Sequence, residues 1–255
     1  MNNELIPMYN SMNSFYRSLQ CWLGVFSLVL MVYLANSCCF LFSLFAGDKI
    51  LPVNTTKQIT SSIPRFVSVD YIDLTKISRI TKFRSGEGHD YSDDFEKNRS
   101  MKHYYMPKED IDWTTVQITA PVTGKIIRID EEWAGTKVEI QSEEYPSLSF
   151  ALFHIKLLKP LKNGDTVKAG QILGHHIGKQ TFSDIAVTMN TEKGRQLLSY
   201  FDVMTDSLFS AYQERGLKLR EDAIISKEAR DRDPLSNGSG QFTNRGTINN
   251  WVILR

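Results

Sequence analysis

His89 and Asp93 stand as His-x-x-x-Asp in a polar loop interrupted by Gly86 and Gly88. An imidazole nitrogen and a carboxylate oxygen are donors that suit Zn²⁺, and a catalytic zinc takes three protein ligands with a fourth position left for water. The spacing alone is common, and beside glycines it is usually no more than a polar loop. His154 sits in the apolar run Phe150-Ala151-Leu152-Phe153-His154-Ile155, where a histidine is either a working acid–base group or a half-buried ring satisfied by a hydrogen bond. Asp184 opens a second apolar run, Ile185-Ala186-Val187. His175 and His176 fall between Gly174 and Gly178 and read as exposed turn residues. His103, within Lys102-His103-Tyr104-Tyr105, is among bases and aromatics that suit either a ligand groove or packing.

These groups need a scaffold, and its pattern is mostly β. Residues 116–120, 124–129, 136–141 and 149–155 alternate in polarity and are rich in β-branched side chains. They are divided by Pro121, Gly124, Gly135, Pro146 and Gly164-Asp165, which predicts an all-β sandwich or barrel. Residues 48–82 read as a linker feeding a first strand over 66–72, and 83–96 as a loop. Further on, Leu197, Phe201, Met204, Leu208 and Tyr212 recur every three or four residues, predicting a helix over 192–215 with Gly216 at its end. A second helix is expected over 220–233, then a flexible turn at 236–240 and a closing strand at 251–254. The expected organisation is an N-terminal segment 1–47, the linker and first strand 48–82, a β domain 83–190, a helical region 191–235 and a C-terminal turn and strand 236–255.

Two pieces of the β region belong together: Ala120-Pro121-Val122-Thr123-Gly124, and Gly164-Asp165-Thr166-Val167-Lys168-Ala169-Gly170. With His-x-x-x-Asp upstream and His154 between them, their order resembles the lysostaphin-type zinc endopeptidases over roughly residues 83–189. That resemblance implies a barrel-sandwich hybrid fold, mainly β, to which the apolar run adds a membrane helix before it and the three-to-four periodicity adds helices after it. It implies His89 and Asp93 as zinc ligands and His154 as the group that orients or deprotonates the bound water. The family closes its site with a His-x-His strand; the matching positions here are Asp184 and Ala186, so Asp184 takes the first, catalytic position and the third ligand is missing. Asp184 itself, or His175 or His176, are the candidates to replace it. The implied partner is peptidoglycan or an envelope protein, and the implied function is binding or hydrolysis of peptidoglycan peptides, with zinc binding degenerate.

The chain's 255 residues carry a formal charge of +1, which gives no global pull toward nucleic acid. The run from Cys21 to Ala46 has no charged residue and is long enough to span a bilayer. It predicts a membrane anchor or signal segment. Lys49, Lys57 and Arg65 after the run against Arg17 before it would by themselves place the domain in the cytoplasm, and the periplasmic or extracytoplasmic side is what the peptidase resemblance implies. A lipoprotein modified at Cys38 is the competing expectation; Ala35 three residues before that cysteine is a loose match, so a retained anchor is favoured. All three cysteines lie in this run, which leaves the β domain without thiols. The rival to a peptidase-like domain is a non-enzymatic barrel-sandwich adaptor of an envelope or transport complex, although the gap between Gly124 and Gly164 is too short for the helical hairpin such adaptors carry. A phosphotransfer barrel using His89 and His154 is a third class, disfavoured by the apolar run.

Overall fold

A computed structural model describes residues 62–255. The predicted membrane segment and the Cys38 site lie outside the described residues. Among those described, no helix is long and apolar enough to cross a membrane.

The molecule is mainly β. Its large antiparallel sheet contains eleven strands: β1 (Ile77–Thr81), β2 (His103–Pro107), β3 (Gln117–Thr119), β4 (Gly124–Glu132), β5 (Gly135–Ser142), β6 (Leu148–Leu157), β7 (Thr166–Val167), β8 (Ile172–His176), β9 (Ser183–Thr191), β10 (Gly194–Leu198) and β13 (Trp251–Ile253). The main path runs β13-β1-β2-β9-β6-β5-β4-β7, with β10 added to β9 and β8 bridging β6 to β3. A separate hairpin joins β11 (Asn237–Gly238) to β12 (Gln241–Phe242). Gly124 starts β4 where a side chain could not fit, because a Cβ there would overlap the Gln141 carbonyl.

Strand alternation sorts the side chains. Leu152, Ile155, Ile185 and Val187 enter the main core with Ile80, Tyr105, Ile118, Val138 and Phe150. Residues of the other parity, Ala151, Phe153 and Ala186, join Phe83, Met101 and Leu197 in a smaller cluster. Burying each large apolar side chain contributes about 1.5–3 kcal/mol, so both faces of the central strands are secured.

The structure departs from the sequence expectations in four places. Residues 66–72 make only single bridges, Val67 to Met204 and Ile72 to Ile118, and the first strand is β1. The continuous helix over 192–215 is replaced by β10 and two short helices, α1 (Tyr200–Val203) and α2 (Asp206–Glu214). The cause is local: Ser199 and Thr205 each cap a helix start, accepting from Phe201 N–H and Leu208 N–H, so the three-to-four periodicity spans separate elements. Residues 220–233 likewise divide into a 3₁₀ turn (Arg220–Ala223) and α3 (Lys227–Arg232), the latter capped by Ser226. The 236–240 turn carries the β11–β12 hairpin.

Candidate functional site

The site forms on the smaller-cluster face of β2, β9 and β6, under the loop that precedes β2. In the β2–β9 register Tyr104 faces Asp184 and His103 faces Ile185. One residue further back, the same register sets Lys102 opposite Ala186. Side chains directly opposite in an antiparallel pair share a face, so the small Ala186 leaves room for the Lys102 stem. β6 contributes through a bulge. Val138 pairs with Leu152 and Thr136 with Ile155, so two residues of β6, Phe153 and His154, lie opposite the single residue Lys137. His154 adopts φ +62°. A bulge re-aims one side chain, and here His154 joins Phe153 on the site face instead of entering the core.

The loop is held independently. Asp93 is 1% exposed, and its carboxylate accepts from Phe95 N–H (2.9 Å), Glu96 N–H (2.8 Å) and Leu197 N–H (2.8 Å). Glu96 in turn accepts from Arg84 and Arg99. Gly88 takes φ +71°, and a Cβ there would overlap the Tyr104 hydroxyl. This close approach brings His89 over the β2 strand.

Four side chains then converge. The Lys102 ammonium, 2% exposed, forms an ion pair with Asp184 Oδ2 and donates to His89 Nε2 at 3.3 Å. It lies 4.2 Å from the Phe153 ring centroid and 4.9 Å from those of Tyr91 and Tyr104, so aromatic faces complete its surroundings. His154 Nε2 meets Asp184 Oδ1 at 3.1 Å, and its Nδ1 meets the Ala134 carbonyl at 2.9 Å. Both of those partners are acceptors, a setting that favours the doubly protonated ring. His89 Nδ1 faces the Asp90 carbonyl at 3.0 Å. Its proton is therefore on Nδ1, and Nε2 offers a lone pair to Lys102.

The electrostatics agree with this proton arrangement. Burial works against the Lys102 charge, but the Asp184 carboxylate outweighs it and raises the ammonium above its ordinary value. Burial works against Asp184 as well, and Lys102 and His154 together hold it below the usual carboxylate range. His154 is raised because its bond to Asp184 exceeds the cost of burial. His89 is lowered by burial and by the neighbouring ammonium. The cluster thus sets the Asp184 carboxylate between the Lys102 ammonium and a histidine held toward its protonated form, with His89 held toward its neutral form on the far side of the ammonium.

The structure brings together His89, His154 and Asp184, and it turns Asp93 away onto backbone amides. His103 does not line a groove: it is 1% exposed, bonded to the Thr81 carbonyl (2.7 Å) and Ser199 hydroxyl (2.9 Å), and lowered to about 4 by burial. Nor are His175 and His176 exposed turn residues. They belong to β8, and His176 is fully buried with its ring 5.9 Å from Trp113. Sequence reasoning missed Lys102 as a site residue; the available signal was a lysine flanked by Met101, His103, Tyr104 and Tyr105 with little polar surface to occupy.

The donor set does not fit zinc. Asp93 is committed to three amides, Ala186 has no donor atom, and His89 Nε2 is turned to an ammonium. Among the described residues, no group of three or more His, Cys, Asp or Glu is arranged to hold a metal ion. Around the cluster, Trp133 at the β4–β5 turn is 80% exposed, its ring 6.3 Å from that of His154. On the flank of the loop, a groove of about 660 Å³ is lined by Arg84, Phe95, Glu96, Thr191, Lys193 and Lys227, among others.

No family model matches the chain, and no curated protein does. Solved structures are similar at a distance. The chain aligns with one chain of the SpoIIQ–SpoIIIAH pore-forming complex over 60% of its own length and 98% of the other, at 15% identity and a TM-score of 0.38. It aligns with the catalytic domain of the antimicrobial peptidase lysostaphin from Staphylococcus simulans over 45% and 88%, at 18% identity and a TM-score of 0.31. It aligns with a chain from Ruminococcus gnavus, named as a glycyl-glycine endopeptidase, over 40% and 43%, at 14% identity and a TM-score of 0.32. The chain therefore spans less than half the length of that last protein.

Proposed function

We propose that this chain is a membrane-tethered protein of the cell envelope whose peptidase-like β domain binds peptidoglycan peptides without hydrolysing them. The observation that carries the reading is the internal commitment of every reactive group in the cleft. Hydrolysis of an amide needs an activated water and a base within hydrogen-bond reach. Here Asp184 is shared between Lys102 and His154, both nitrogens of His154 face acceptors within the protein, and His89 accepts from Lys102. Binding asks less of the site. Trp133 presents a broad aromatic face at its rim, and a separate groove on the loop's flank carries Phe95 among side chains of both charges, Lys193 and Lys227 with Glu96 and Glu192, polar and apolar surface of the kind that binds an extended peptide.

The test is co-sedimentation of the full chain with purified peptidoglycan sacculi, together with measurement of newly released amino groups. Saturable binding, weakened about tenfold by Trp133→Ala, with no release above background, is the expected result. Zinc-dependent release of amino groups, or a failure to sediment, overturns it.

A further inference from the structure

We propose that the Lys102 ammonium is the resident cation of this cleft, occupying the space toward which His89 and Asp184 direct their donor atoms and keeping a divalent metal from those two donors. The proposal rests on the non-hydrolytic reading of the cleft and names the device behind it.

The argument begins with the two donors. His89 gives its Nδ1 proton to a backbone carbonyl and directs the Nε2 lone pair inward, which is how an imidazole is oriented when it ligates a metal. Asp184 is fully buried and directs Oδ2 at the same point. A lone pair and a carboxylate that converge in a dry site require a positive charge between them, because an unpaired buried carboxylate costs several kcal/mol. Lys102 supplies that charge from the residue just before β2, one step back along the register that pairs His103 with Ile185. His154 supports the carboxylate from its other oxygen at 3.1 Å, as an outer partner supports a ligating carboxylate. The aromatic faces of Phe153, Tyr91 and Tyr104 complete the shell at 4.2–4.9 Å. Each ammonium neighbour is therefore an acceptor, a lone pair or a π face, and the site is satisfied by a monovalent cation carried on the chain.

Shortening that side chain leaves His89 Nε2 and Asp184 aimed at an empty space, with water free to complete the coordination. The experiment titrates Co²⁺ into the full chain and its variants, following visible absorption and binding heat. The wild-type chain is expected to take up no stoichiometric cobalt. Lys102→Ala is expected to bind one equivalent, about 100-fold tighter than wild type, and to gain thermal stability with it. Adding His89→Ala to that variant abolishes the gain, and Lys102→Met, which refills the space with an apolar stem, binds none. A folded Lys102→Ala chain without cobalt affinity overturns the proposal, as does stoichiometric cobalt in the wild type with Lys102 intact. Should Lys102→Ala fail to fold even with metal, ¹⁵N-histidine spectra of the wild type decide: His89 must be neutral with its proton on Nδ1, and an Nε2 proton overturns the arrangement. Loss of sacculus binding in the wild type would remove the functional reading and leave these metal results standing.

Discussion

Two carboxylates, the fully buried Asp184 and the half-buried Asp70, show opposite solutions to one problem. Asp184 is flanked by the ammonium of Lys102 and the ring of His154, and it is held below the usual carboxylate range despite complete burial. Among the described residues, Asp70 forms no ion pair with a cation. It accepts from Tyr71 N–H at 2.8 Å and from the Tyr212 hydroxyl at 2.5 Å, and Tyr212 also meets Tyr105 at 3.1 Å. Burial outweighs these neutral donors and pushes Asp70 up to about 6. The difference is that hydrogen bonds satisfy lone pairs, whereas only opposite charge offsets the loss of hydration of an ionised group. The first carboxylate is an anchor, and the second is a liability near neutral pH.

The comparison can be broken most decisively at Lys102. Lys102→Met leaves Asp184 with His154 alone and should destabilise the domain by about 3–5 kcal/mol, measured by urea unfolding at neutral pH. Asp184→Asn removes the shared partner of Lys102 and His154 and should cost about 3 kcal/mol in the same assay, with a smaller combined cost when both changes are made together. The same Asp→Asn change at Asp70 should do the reverse. Asparagine can still accept from Tyr71 and Tyr212, and at pH 8 it should stabilise by about 1–2 kcal/mol, an effect that vanishes near pH 4. An equal loss at both aspartates would dissolve the distinction.

The pH dependence sharpens it. A carboxyl whose folded pKa is raised holds its proton longer in the native state, so Asp70 subtracts stability as pH climbs from about 4 through 6. His154, also raised, contributes stability that is complete at acid pH and is lost as pH passes its folded value. Asp184 is lowered, so its contribution is present at neutral pH and disappears only on strong acidification. Burial lowers His103 and His176 to about 4 and lowers His89 as well, so these rings bind protons more weakly in the native state and add stability as pH rises from about 4 to 6.5. Together they outweigh Asp70, so wild-type stability should rise over that range and Asp70→Asn should steepen the rise. The smallest expected effect is Ser199→Ala, about 1 kcal/mol, from loss of the α1 cap and of the hydrogen bond to His103.

The strands 124–132, 135–142 and 148–157 were legible because alternation and glycine-marked turns are local signals. The order of motifs set His89, Asp93 and His154 on one cleft, and of these the structure brings His89 and His154 together with Asp184 in place of Asp93. The helix over 192–215 was misread because periodicity does not register the caps at Ser199 and Thr205. Asp93 resembles a ligand by type and spacing, yet its oxygens are taken by Phe95, Glu96 and Leu197 N–H groups, the last from a strand about a hundred residues away.

By itself the sequence determined a β-rich domain with turns at its glycines, an uncharged apolar run before it, and an alanine at a position where a donor was expected. Tertiary structure decided what that alanine means. Only the β2–β9 register sets Lys102 against Ala186, and only the β6 bulge turns His154 onto the same face. Strand pairing and a single positive φ fix which side chains share a dry space, and in a dry space the balance of charge, not the identity of any one residue, sets what the site can hold.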